Sequence, residues 1–246
     1  MAAHLESLSV VIPCFNEEDS IPIVIPRMIE VLDNLKSLGR IGQYELVVVN
    51  DRSTDRSAER LWSYPQVRIL NSTAKVRGYG SALKEGFTQS KSQWLCFLDM
   101  DNTYRPEDLP KLLDALDESQ CDFAMGVRGF SEKGMSLTRG IGNWLYMKIA
   151  QVFYGSPLKD VCSGYRVFHR RHLPDVVSLP ENGLDFSIHF TLEMILNNTP
   201  IAQVPIQYDP RLGASKLSVI SDGLSFLKVL MSLKLRRIRG IKHSQV

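Results

Sequence analysis

Asp99 and Asp101 close the run Trp94-Leu95-Cys96-Phe97-Leu98-Asp99-Met100-Asp101, an apolar stretch that stops abruptly in two carboxylates. Residues i and i+2 of an extended segment point the same way, so the pair is read as sharing one hard divalent cation, Mg2+ or Mn2+. Such a cation takes carboxylate oxygens and completes its shell with water and phosphate oxygens. The spacing alone is common in solvated loops. Its place gives it weight, because ligands of open α/β sheets bind outside the carboxyl ends of the strands. Three other stretches stand out: the polar cluster Asn50-Asp51-Arg52-Ser53-Thr54-Asp55, the helix-opening Arg77-Gly78-Tyr79-Gly80-Ser81-Ala82, and the basic, glycine-bearing loop Pro210-Arg211-Leu212-Gly213-Ala214-Ser215-Lys216. The two glycines before a helix would let backbone N–H groups approach a phosphate, although such a pair is usually only a turn. His169 and His172 have helical spacing but sit among arginines with no third ligand type, and read as a solvated polar face rather than a zinc site.

The elements that must position these groups follow a regular rhythm. Leu8 to Pro13 reads as a buried strand, followed by a turn, capped by Asn16 or Asp19, into a helix. That helix carries Ile21, Val24, Ile25, Met28, Ile29, Leu32 and Leu35 on one stripe, with Pro26 expected to kink it or delay its start. Tyr44 to Val49 is a second strand, leading to a helix through Ala58 and Leu61 capped by Ser53 or Thr54. Val67 to Leu70 is a third strand, the Trp94 run a fourth, and Asp122 to Val127 a fifth. Helices through Leu83 and Phe87, and beyond Pro106, separate them. This alternation predicts an α/β fold: a Rossmann-like, mostly parallel sheet with right-handed crossovers and helices on both faces. After Phe130 the pattern changes to a long helix over Leu137 to Tyr154, a strand ending near Phe168, a helix over Phe186 to Leu196 and a strand over Ile201 to Tyr208. A last amphipathic helix from Leu217 to about Arg237 carries Leu217, Ile220, Leu224, Leu227, Leu230 and Met231.

The 246 residues are 44% hydrophobic and 23% charged, which argues against wholesale disorder. A net charge of +2 does not suggest a nucleic-acid partner. After Asp222 there is no acidic residue, whereas Lys228, Lys234, Arg236, Arg237, Arg239 and Lys242 follow, a basic tail on a nearly neutral body. Cys14, Cys96, Cys121 and Cys162 are widely spaced and read as reduced, mostly buried thiols. Met1 to Ser9 lacks the pattern of a secretion signal, and no stretch reaches the ~20 apolar residues of a membrane span. A cytoplasmic protein is expected, attached peripherally, if at all, to the cytoplasmic face of a membrane through the C-terminal helix or the helix around Trp144.

Four segments together resemble a known family. Val11-Ile12-Pro13-Cys14-Phe15-Asn16-Glu17, Val49 to Asp55, Asp99-Met100-Asp101, and Ser163-Gly164-Tyr165-Arg166 with Gly213 to Leu217 are similar to GT-A glycosyltransferases of family two, in particular the dolichyl-phosphate mannose synthase and polyprenyl-phosphate glycosyltransferase branch. The resemblance implies a GT-A catalytic domain over residues 1–216 and an amphipathic basic helix and tail over 217–246. It implies transfer of a hexose from a GDP- or UDP-linked sugar to a polyprenyl or dolichyl phosphate. Pro13, Cys14, Phe15, Glu17 and Met100 would line the nucleotide pocket, with Asp51 accepting from the base. Asp99 and Asp101 would hold the metal, and Arg128, Arg139, Arg211 and Lys216 would meet the acceptor phosphate or the departing diphosphate. A hydroxyl acceptor would need a base, for which Asp185 and Glu193 are the carboxylates to consider. Asn50, Arg52 and Thr103 depart from the family pattern, as does the spacing of Arg211 from Gly213, and these leave the sugar and nucleotide open. Open alternatives are a family-two transferase acting on a glycan, glycerolipid or small hydroxyl compound, a nucleotidyltransferase, and a non-catalytic nucleotide-sugar-binding subunit that recruits a membrane protein.

Overall fold

The computed structural model describes residues 4–129, 137–155, 157–213 and 219–238. Seven strands form one sheet in the order β3-β2-β1-β4-β6-β5-β7. They are β1 (Leu5–Cys14), β2 (Ile41–Asn50), β3 (Val67–Asn71), β4 (Trp94–Phe97), β5 (Phe123–Arg128), β6 (Arg166–His169) and β7 (Ala202–Ile206). All neighbours run parallel except β6, which is antiparallel to both β4 and β5.

Side chains alternate between the faces, and each face has its own helical cover. Val10, Ile12, Val48, Cys96, Ala124 and Val167 meet α1 (Ile21–Ser37) and α4 (Leu109–Ser119). Val11, Val47, Val49, Leu95, Phe97, Phe123 and Phe168 meet α3 (Tyr79–Gln89), α6 (Leu173–Val177) and α7 (Asp185–Leu196). The connection α2 (Ser57–Leu61) buries Leu61 on the α1 side. A third cluster joins α7 to α5 (Leu137–Tyr154) and α8 (Val219–Ile238) through Ala150, Tyr154, Ile188, Leu192, Phe226, Val229, Leu230 and Leu233.

Several local expectations change. The fourth strand ends at Phe97, where its antiparallel partner begins at Arg166, so Asp99 lies beyond the strand and Asp101 in the turn that follows. Asn102 takes a left-handed φ of 65° there, and Asp101 Oδ1 accepts from Thr103 N (3.0 Å), an Asx turn. Helix α1 starts at Ile21 and continues through Pro26, because Ile21, Val24, Ile25, Met28, Leu32 and Leu35 are all buried on the sheet. Neither Asn16 nor Asp19 caps it: Asn16 faces the loop after β2, accepting from Thr54 N (2.7 Å) and donating its own N–H to Ser53 Oγ (3.0 Å). Ser53 and Thr54, engaged with that turn, do not cap α2; Asp55 accepts from Ser57 N instead (2.9 Å).

On α8 the buried side is Phe226, Val229, Leu230 and Leu233, while Leu224, Leu227, Met231 and Leu235 are exposed. The helix therefore has two apolar faces where the sequence suggested one. Leu217 and the side chain of Ile220 lie outside the described residues.

Candidate active site

Strands β1, β2 and β4 deliver their carboxyl ends to one cleft of about 400 Å³. Its wall includes Pro13 and Cys14 at the end of β1, Phe15 and Glu17 after it, Asp51 after β2, and Asp99, Met100 and Asp101 after β4. Arg128 from β5 and Arg211 beyond β7 complete it on the far side. All ten of these were expected from the sequence. Lys216 and the side chain of Arg139 lie outside the described residues.

Asp99 is wedged between two groups that the sequence reading did not assign. The Tyr79 hydroxyl donates to Asp99 Oδ1 (2.7 Å), and a Cβ on Gly164 would stand 2.8 Å from both carboxylate oxygens. Only glycine lets the 161–164 loop pass this close. Burial and the neighbouring Asp101 push the Asp99 carboxyl up to about 7, against the pull of the Tyr79 hydroxyl, Arg128 and Arg211. A carboxyl raised in this way lacks a compensating positive charge, and a divalent cation between Asp99 and Asp101 would supply it. Among the described residues no group of three His, Cys, Asp or Glu side chains is placed to hold a metal. Two carboxylates are still an ordinary protein share for Mg2+ or Mn2+, which draws its remaining ligands from water and substrate phosphate.

That raised carboxyl sets a pH dependence. A proton competes with the cation for Asp99, so Mn2+ affinity is expected to fall as pH drops below about 7, by up to tenfold per unit. The effect on stability has the opposite sense in the metal-free protein. With its folded pKa above the unfolded value, Asp99 contributes stability that is full below about pH 4 and is lost as pH rises through 7. Mn2+ titrations between pH 5.5 and 8 check the first statement, and thermal melts with and without Mn2+ check the second.

Asp51 is buried, its Oδ2 accepting from Gly78 N (2.9 Å), with Arg52 and Arg77 at 3.4 and 3.9 Å. The Arg77 guanidinium lies 4.2 Å over the Phe15 ring, forming a flat aromatic and cationic edge beside that carboxylate. The glycine stretch does not offer its N–H groups to a phosphate. Gly78 N serves Asp51, while Gly80 N and Ser81 N both donate to Asn182 O (2.9 and 3.3 Å). Gly78 is needed for its backbone, with φ 141° and a Cβ position 2.3 Å from that same carbonyl.

The arginines are held by carboxylates. Arg128 makes a bidentate pair with the fully buried Asp160 (2.7 and 2.9 Å) and lies 5.4 Å from the Tyr208 ring. Burial opposes both charges, yet each stabilises the other, so Arg128 is shifted up and Asp160 down. Arg211 forks between Asp101 Oδ2 (2.5 Å) and Glu17. Neither Asp185 nor Glu193 is among the residues lining the cleft. Glu193 is buried beside His189, 3.7 Å from its ring nitrogen, and His189 in turn bonds Glu181 (2.5 Å).

Arg166 ends one of the four family-like segments, but no role was assigned to it from the sequence. Its side chain is fully buried and donates to the carbonyls of Ser163 (3.0 Å), Ser187 (2.7 Å) and Val161 (3.5 Å). It thereby fixes the loop that carries Gly164 against Asp99.

Comparison with known proteins agrees with this geometry. The sequence model described as "Glycosyl transferase family 2" matches residues 9–177. A low-salt glycan biosynthesis hexosyltransferase of Haloferax volcanii is 31% identical over 92% of this chain, which spans 53% of that relative's length. A dolichyl-phosphate hexose transferase of the same organism is 29% identical, covering 94% of this chain and 97% of its own. The polyprenol monophosphomannose synthase of Mycolicibacterium smegmatis is 27% identical, with 94% and 90% covered. Among solved structures, glucosyl-3-phosphoglycerate synthase from Mycobacterium tuberculosis, crystallised with Mn2+ and uridine diphosphate, superposes with a TM-score of 0.69. It is 21% identical over 98% of this chain and 82% of its own. The sheet, the cleft at its carboxyl edge and the family match converge: this chain is a glycosyltransferase of GT-A fold and belongs to glycosyl transferase family 2.

Proposed function

We propose that this enzyme transfers a hexose from a GDP- or UDP-linked sugar to a polyprenyl or dolichyl phosphate. The observation that carries the reading is the meeting, in one cleft, of a paired carboxylate site with Phe15 and Asp51, the Phe15 ring being backed by the Arg77 guanidinium. Relatives that align along nearly their whole length and act on polyprenol or dolichyl phosphate support the acceptor class.

In this reading Asp51 and the Phe15 edge orient the base, a carboxylate being able to accept an imide or amino N–H. Asp99, steadied by Tyr79, and Asp101, steadied by Thr103, would hold the cation. When bound, Mg2+ or Mn2+ neutralises charge on the departing diphosphate. An oxygen of the acceptor phosphate attacks the anomeric carbon, forming the new C–O bond. The bond from that carbon to the β-phosphate oxygen breaks, and the nucleoside diphosphate leaves with the electron pair. The acceptor is already an anion, so no general base is required, in keeping with the absence of Asp185 and Glu193 from the cleft wall. Arg211 and Arg128 supply positive charge beside the reacting oxygens, with Arg139 and Lys216 as further candidates. Incubation with radiolabelled GDP-mannose or UDP-glucose tests this. Label should pass to polyprenyl phosphate in the organic phase, and transfer only to hydroxyl acceptors would contradict it.

No described helix is long and apolar enough to cross a membrane. The lipid acceptor instead suggests peripheral contact of the 217–246 segment and α5 with the surface. Ile141, Trp144, Leu145 and Val152 on α5 are exposed, as are Leu224, Leu227, Met231 and Leu235 on α8, which also lines the cleft through Phe226. The basic tail would add attraction to anionic lipid. Combining Trp144→Glu with Leu224→Glu is expected to abolish flotation with anionic liposomes while leaving the thermal midpoint within a few degrees, since both side chains are exposed. Unchanged flotation would remove these helices from the membrane contact.

A further inference from the structure

The two carboxylates of the cleft are not equivalent. Asp99 receives one neutral hydroxyl, from Tyr79. Asp101 has both oxygens engaged: Oδ1 accepts from Thr103 N (3.0 Å) and Thr103 Oγ1 (2.5 Å), and Oδ2 accepts from Arg211 Nη1 (2.5 Å). The other arm of the same guanidinium reaches Glu17. Arg211 thus ties the turn after β1 to the turn after β4 across the cleft.

This bridge has a firm base. Leu212 N donates to Asp101 O (3.1 Å), Asp209 N donates to Thr103 O (2.9 Å), and Arg105 forks onto Asp209 (2.5 and 2.8 Å). The backbone on either side of Arg211 is therefore stitched to the metal-bearing turn, which brings the guanidinium back to Asp101 whenever Asp101 is open. A cation shared by both aspartates must use an Asp101 oxygen, and with Oδ1 committed to Thr103 the accessible one is held by Arg211.

Resting on the reading of Asp99 and Asp101 as the metal site, we propose that Arg211 is the resident counter-ion that decides in which form the cation enters. A bare cation must take Asp101 from a forked guanidinium, which then keeps only Glu17 of the two carboxylates that it bridges. A cation arriving with a nucleoside diphosphate brings anionic oxygens to which the planar fork can turn. The site therefore selects the metal–diphosphate complex over the free metal. The same side chain that blocks the empty site becomes a clamp on the diphosphate in the filled one.

The test is Mn2+ binding by the full-length chain, followed by the paramagnetic resonance signal of free Mn2+, with metal alone and with UDP or GDP added. Arg211→Gln is expected to bind Mn2+ alone about tenfold more tightly than wild type, and Mn2+ with diphosphate more weakly. Arg211→Lys keeps the charge but offers a single point that cannot span Asp101 and Glu17, so it should fall between the two. Near-UV circular dichroism establishes that both variants are folded. Unchanged or weaker binding of Mn2+ alone by Arg211→Gln overturns the proposal. So does an Arg211→Lys variant indistinguishable from wild type, because net charge rather than the bridge would then be at work. Asp99→Asn separates the two levels: wild-type Mn2+ affinity in that variant removes the metal site itself, and the role of Arg211 with it.

Discussion

Asp101→Asn is expected to reduce metal-dependent sugar transfer about a thousandfold while the protein stays folded. The magnitude follows from the several kcal/mol that a cation contributes to stabilising a departing diphosphate, at tenfold per 1.4 kcal/mol. Asparagine keeps the shape of the side chain, and its amide oxygen can still accept from Thr103, so the turn through Asn102 should survive. What is lost is the negative charge that a cation and Arg211 both use. Steady-state rates across a Mn2+ titration, beside a thermal melt, check both halves. A variant that remains active with unchanged metal dependence would exclude Asp101 from the metal site.

Arg166→Met is expected to be the most damaging change away from the cleft, destabilising the fold by about 3 kcal/mol. Methionine removes a donor from three buried carbonyls: those of Val161 and Ser187 keep Thr191 Oγ1 (3.0 and 3.1 Å), while that of Ser163 loses the guanidinium that served it. Leaving the Ser163 carbonyl unsatisfied costs about 1–3 kcal/mol, the two shared carbonyls add less, and removing a charge from the core offsets part of it. Burial already drags the Arg166 guanidinium down to about 10, which shows how unfavourable that environment is to the charge. The flanking rings of Phe97 and Phe190, at 5.6 and 5.1 Å, recover part of it as cation–π attraction. Urea unfolding measures the loss. Because Arg166 also fixes the loop that presses Gly164 on Asp99, the folded fraction should bind Mn2+ more weakly; a stable variant with wild-type affinity would contradict this role.

The parts of the fold that were legible share one property: they are written in local periodicity. Val47, Val48 and Val49 read as a strand buried on both faces, and Ile21 to Leu35 as one helical stripe, because burial imposes those repeats directly. Strand direction leaves no such mark. Val167 and Phe168 alternate just as parallel strands do, so nothing in the residues showed that β6 runs against β4. The end of β4 at Phe97 depends on where that partner stops, which again is not local.

The site divides in the same way. Asp99 and Asp101 stood out because two carboxylates follow an apolar strand, whereas Asp51 and Phe15 were placed by the resemblance of their segments to the family. Their supports were not, because a tyrosine at position 79 gives no sign of its partner at 99, nor an aspartate at 160 of Arg128. Arg166 belongs to a family-like segment, but its residue type gives no sign of full burial, since arginine is mostly exposed. The glycines at 78 and 80 were read for their N–H groups, which instead serve Asp51 and the Asn182 carbonyl, a contact with a segment a hundred residues away.

The claim on which the rest depends is that Asp99 and Asp101 bind a nucleotide sugar through a divalent cation. Thermal shift with a panel of UDP- and GDP-sugars, each with and without Mn2+, tests it most directly, because only a ligand that prefers the folded state raises the midpoint. Wild type should be stabilised by one base family and only when Mn2+ is present, and Asp101→Asn should show no such shift. Equal stabilisation of the two proteins, or stabilisation unaffected by removing the metal, would contradict it.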